Sequence, residues 1–168
     1  MISVNLGARA IRRSVVLMSV ASVCGLLANC GSDSAIASQN ATYVATLVGA
    51  REIPAVQTTA SGTATLMRVG DVVEYTVSAS GFGTPLTVGH IHIGAAGVIG
   101  SVIVPFTIVA QSGTVATGSV DLSAPITQGN ITIPGDSLRT LFETGNAYVN
   151  LHTAAFPGGE IRGQIVKR

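Results

Sequence analysis

Apolar and polar residues alternate with a period of two along most of the chain beyond residue 42. Over residues 72–79, Val73, Tyr75 and Val77 fall on one face and Glu74, Thr76 and Ser78 on the other. That alternation predicts a strand with one face buried. Comparable segments run over residues 42–48, 62–69, 87–93, 101–109, 113–122, 147–153 and 160–167. They are rich in Val, Ile and Thr, which suit a pleated surface, and Gly, Pro and Asn punctuate them. Gly70-Asp71 between two of them marks a hairpin. Pro105 has no N–H to give a ladder, so its strand is expected at an edge or a bulge. One stretch changes period. Leu138, Leu141 and Phe142 stand at i, i+3 and i+4 within residues 136–143, which predicts a helix that Gly145 can close. Together these elements predict an all-β fold, an antiparallel β-sandwich or barrel-like Greek key with one short helix before the last two strands.

Ahead of residue 42 the pattern differs. Residues 1–14 carry Arg9, Arg12 and Arg13 and no acid, and an apolar run follows to about Ala28. A basic start, a short apolar stretch and a small-residue exit form the pattern of an export signal, expected over residues 1–30. The run falls short of the about 20 apolar residues that span a bilayer. Leu26-Leu27-Ala28-Asn29-Cys30, followed by Gly31-Ser32-Asp33, resembles the end of a bacterial lipoprotein signal, with Cys30 as the lipidated residue. Asn29 departs from that pattern, which has a small residue there. Ala35-Ile36-Ala37 offers a competing cleavage site before Ser38, so lipid anchoring and free secretion or periplasmic release both stay open. Residues 31–41 read as a flexible tether, and residues 42–168 as the folded domain. Both cysteines, Cys24 and Cys30, precede that domain, so no disulfide staples it.

Charge narrows the function classes. The formal charge of +1 includes the three leader arginines. Beyond them stand Arg51, Arg68, Arg139, Arg162, Lys167 and Arg168, six cations against eight acids, a difference of −2. No basic cluster remains to neutralise phosphates, so nucleic acid is not an expected partner. The expected partners are the membrane, through a lipid on Cys30, and a protein or envelope ligand. No Gly-x-Ser-x-Gly elbow occurs. Residues 94–100 are glycine-rich but lack the lysine of a phosphate loop.

All three histidines fall in two short blocks, Gly89-His90-Ile91-His92-Ile93-Gly94 and Ala147-Tyr148-Val149-Asn150-Leu151-His152-Thr153. Strand alternation places His90 and His92 on one face, about 6–7 Å apart. It likewise groups Tyr148, Asn150 and His152, and in the last strand Glu160, Arg162 and Gln164. If these strands are neighbours, His90, His92, His152 and Glu160 converge. Three imidazoles and a carboxylate suit zinc or copper. The same residues, with Tyr148, Asn150, Arg162 and Gln164, can instead form a hydrogen-bonded network that fixes strand register. Acid–base catalysis is a third reading.

The two blocks, with Arg51-Glu52-Ile53-Pro54, Gly62-Thr63-Ala64 and Pro157-Gly158-Gly159-Glu160-Ile161-Arg162-Gly163-Gln164, resemble the CHRD domain, named from the animal protein chordin. The resemblance runs from about Thr42 to Val166. It implies an extracytoplasmic all-β domain. In chordin-like animal proteins such domains sit in secreted antagonists of growth factors, whereas bacterial members resemble exported or lipid-anchored proteins. The expected role is a non-enzymatic binding or structural module of the cell envelope. The alternative is a small metal-binding protein built on the His-x-His strand and the third histidine.

Overall fold

The computed structural model describes residues 40–168. The expectations for the leader, the tether up to residue 39 and Cys30 lie outside the described residues. Strands β1 (Asn40–Val48), β2 (Ser61–Val69), β3 (Val72–Ser80), β4 (Leu86–Ile93), β5 (Val102–Phe106), β6 (Gly113–Asp121), β7 (Ile126–Gln128) and β8 (Ile131–Ile133) precede the helix α1 (Gly135–Glu143). Strands β9 (Ala147–Thr153), β10 (Ile161–Gln164) and β11 (Val166–Lys167) follow it. The domain is therefore all-β with one helix, as the alternation predicts.

One antiparallel sheet runs in the order β5-β4-β9-β10-β1-β2-β3-β6, with β11 also paired to β1. It curls into a nearly closed barrel. The Val109 N–H, just after the edge strand β5, donates to the Val115 carbonyl of the other edge strand, β6, at 2.9 Å. Curling in this way leaves little unpaired edge. β5 is an edge strand, which is the position Pro105 requires. The Gly70-Asp71 turn joins β2 to β3 with Val69 opposite Val72.

The barrel interior is the core. Tyr43, Ala45 and Leu47 from β1, Leu66 from β2, Val77 from β3, Ile91 from β4 and Val149 and Leu151 from β9 are fully buried there. Each is one of the alternating positions of its strand. Leu138 and Phe142 pin α1 to the same core, with the Phe142 ring 5.8 Å from that of Tyr43. Gly145, at φ +69°, follows the helix as expected.

Three features depart from the sequence reading. Asn40 and Ala41, expected in the tether of residues 31–41, open β1 and pair with Val69 and Arg68 of β2. The β7–β8 hairpin was not expected. The last strand is also not continuous over 160–167. It starts at Ile161 and breaks at Ile165, whose N–H donates to the Ala147 carbonyl.

Candidate metal centre

Pairing alone assembles the histidines. β4 lies beside β9 with His90 opposite Asn150, His92 opposite Tyr148, and Val88 opposite His152. β10 lies on the other side of β9, with Arg162 opposite Asn150 and Gln164 opposite Tyr148. These polar residues occupy the outer face of the sheet, away from the barrel core. Loops cover that face, so every residue of β9 is buried on both sides.

The covering loops hold the polar row through backbone carbonyls. His92 Nδ1 donates to the Gly100 carbonyl at 3.0 Å, and His152 Nδ1 donates to the Pro157 carbonyl at 2.8 Å. A carbonyl can only accept, so both rings carry their hydrogen on Nδ1. In the neutral rings the lone pair is then on Nε2. Carbonyl anchoring of the far nitrogen is how metal-ligating histidines are oriented. His152 Nε2 is thus an acceptor, and His90 Nδ1 donates to it at 3.3 Å. His92 Nε2 is buried and makes no hydrogen bond.

One nitrogen from each of the three rings falls within a 4.8 Å span. Two nitrogens on one tetrahedral zinc ion, each at 2.0–2.1 Å, stand about 3.3 Å apart. The His90–His152 pair already has that separation. The His90 ring stands edge-on to both others, with centroids 5.3 Å from His92 and 5.1 Å from His152. Burial, with the neighbouring His152 and His92, pushes His90 down to about 4. Burial also lowers His92, against the Gly100 hydrogen bond, with His152 and Arg162 adding to the lowering. His90 and His92 are therefore uncharged at neutral pH, the form that binds metal.

Glu160 is directed elsewhere. Its carboxylate accepts from Thr58 Oγ1 at 2.6 Å and from Thr153 Oγ1 at 2.5 Å. Thr153 has the core-facing parity of β9, so Glu160 ties loop 49–60 to the end of that strand rather than facing the imidazoles. Alternation misplaced it because it precedes β10. Gly159, at φ +124°, turns the chain immediately before it. The cluster of possible ligands among the described residues is the three histidines alone.

The other expected polar residues surround the cluster. The Tyr148 ring stacks on His92 at 4.7 Å and 9°, and the Arg162 guanidinium lies 3.4 Å from the Tyr148 ring centroid. Arg162 donates to the Val98 carbonyl at 2.7 Å. Gln164 Nε2 donates to the carbonyls of Gly94 and Gly145 at 2.8 and 2.6 Å. Asn150 Nδ2 donates to Glu52 Oε1 at 2.7 Å. A cleft of about 610 Å³, lined by Arg51, Glu52, Ile53, Arg162 and Gln164 among others, opens beside this row and does not include the histidines.

Sequence reasoning missed Glu52, Gly100 and Pro157 as parts of the site. Two act through backbone carbonyls, which carry no side-chain signature. Gly100 is nonetheless readable in retrospect: a Cβ there would overlap the Ile93 carbonyl oxygen. Gly100→Ala should therefore displace the loop that anchors His92. We expect a loss of about 1–3 kcal/mol in chemical denaturation, and weaker metal binding in the same variant. Unchanged values for both would show that the loop does not hold the ring.

Glu52 is buried, and burial pushes its carboxyl up to about 6, against the favourable charge of Arg162 and hydrogen bonds from the Ile53 backbone and Asn150. The folded state thus binds this proton more tightly than the unfolded chain, whose value is near 4.5. Its contribution to stability is fully present below the unfolded value and is lost as pH rises through the folded one. Glu52→Gln keeps the protonated shape. The variant should match the parent near pH 4.5 and exceed it by up to about 2 kcal/mol above pH 7. Parallel denaturation curves across that range test this. A constant difference at every pH would contradict it.

The CHRD domain family matches residues 43–165. The chain belongs to the CHRD family. No curated protein matches it, and no solved structure does. Both histidine blocks of this CHRD domain lie inside the matched span, as do the Glu52 loop and the Pro157 turn.

Proposed function

We propose that this CHRD domain is a metal-binding module of the cell envelope, holding one divalent ion, zinc or copper, through His90, His92 and His152. The observation that carries the reading is His92 Nε2. It is a buried acceptor with no hydrogen bond, and its ring is locked by Gly100. One nitrogen of the His92 ring lies within 4.8 Å of a nitrogen of each of the two other histidines. A buried polar atom without a partner costs about 1–3 kcal/mol, and an ion supplies the missing partner. Imidazole donors suit zinc and copper, while carboxylate-poor sites disfavour magnesium and calcium.

X-ray absorption of the protein loaded with zinc or copper, prepared without a histidine tag, tests the reading. We expect a first shell with three imidazoles. A shell of oxygen donors alone would place the ion on the surface and overturn it.

Export and anchoring belong to the same proposal. They are supported by the basic-then-apolar leader and the Leu-Leu-Ala-Asn-Cys stretch ending at Cys30. No helix among the described residues is long and apolar enough to cross a membrane. Labelled palmitate should enter the full-length protein in a bacterial host and be absent from Cys30→Ser. Equal labelling of the two would refute lipidation at that residue.

A further inference from the structure

The three histidines do not complete a coordination shell. We infer that an ion bound by His90, His92 and His152 keeps one position open on the His90 side, and that this position takes a small anionic ligand. This rests on the metal-binding reading above.

Three observations carry it. First, the donor set stops at three among the described residues. The carboxylates that could close the shell are engaged: Glu160 by Thr58 and Thr153, and Glu52 by Asn150. Closed structural zinc sites have four protein donors, whereas three-donor sites leave the fourth position to water or an exchangeable ligand. Second, burial is uneven. His92 and His152 are each 9% exposed, while His90 is only half-buried. His90 is therefore the ring of the three nearest solvent.

Third, the local charge favours an anion. All three ligands are imidazoles, which bind a metal without a negative charge, so the donor set neutralises none of the ion's charge. Arg162 is a further positive group, opposed by the Glu52 carboxylate that its charge favours. Its guanidinium lies 3.4 Å from the Tyr148 ring centroid, and Tyr148 stacks in turn on His92. A small anion at the open position, hydroxide in its absence, would offset that charge. An all-protein carboxylate ligand would have removed the need for one.

The experiment uses the cobalt(II)-loaded protein, prepared without a histidine tag, with azide as the probe. Cobalt(II) reports its coordination through its visible absorption bands. Azide should shift those bands along a single saturating curve while gel filtration shows one cobalt retained per chain. Bands that azide leaves unmoved, or that change only as cobalt is stripped from the protein, would overturn the open position while leaving metal binding intact. Failure of the protein to bind cobalt or zinc at all would overturn the metal-binding reading, and this inference with it.

Discussion

Zinc at about 100-fold above its dissociation constant should stabilise the protein by about 2.7 kcal/mol. For a domain of this size that is a rise in melting temperature of roughly 10 °C. The sign follows from linkage: the folded chain presents three oriented nitrogens within 4.8 Å, and the unfolded chain presents none in that arrangement. A chelator should reverse the rise. His92→Ala should abolish it, because that ring supplies the buried nitrogen without a partner. Glu160→Gln should keep it, because Glu160 bonds Thr58 and Thr153 and is no part of the cluster. The two variants separate a site from a general network. A network would lose stability in both and respond to zinc in neither.

Arg162→Ala should lower stability by about 3–5 kcal/mol, with a melting temperature roughly 10–20 °C below the parent. Arg162 is 3% exposed. Its loss removes the stack on Tyr148, worth about 2 kcal/mol where desolvated. It also removes a charged hydrogen bond to the Val98 carbonyl, worth about 1.5–3 kcal/mol. The carbonyl is left without that donor, and Glu52 loses its favourable neighbour. The 94–100 loop would loosen, and with it the Gly100 anchor of His92, so metal affinity should fall in the same variant. Arg162→Lys should recover little of the loss, because an ammonium cannot stack flat and reach Val98 together. Thermal melts of the three proteins check the order. Full rescue by lysine would show that charge alone is at stake.

The barrel was legible because most strands obey the two-residue alternation, as Val73, Tyr75 and Val77 do in β3. The helix was legible from Leu138, Leu141 and Phe142, and the edge position of β5 from Pro105. The β7–β8 hairpin was not, because strands of three residues hold too few alternating positions to read, and Pro125 and Pro134 flank them. The histidine face was legible for the same reason as the barrel, since His90, His92 and His152 keep the parity of β4 and β9. Glu160 was misplaced because parity cannot be carried past Gly159 into residues that lie outside a strand. The anchoring carbonyls were invisible because any residue has a carbonyl. Only the steric demand at Gly100 and the turn at Pro157-Gly158-Gly159 hint at where the chain must double back. Glu52 was missed because its role depends on Asn150, 98 residues away in sequence.

The central claim is that three histidines of this CHRD domain form one metal site. Calorimetric titration of the metal-free protein with zinc, without a histidine tag and alongside His92→Ala, tests it most directly. The expected result is saturable binding of one ion per chain in the parent and none in the variant. Heats of dilution alone in the parent, or an equal site in both proteins, would contradict the claim.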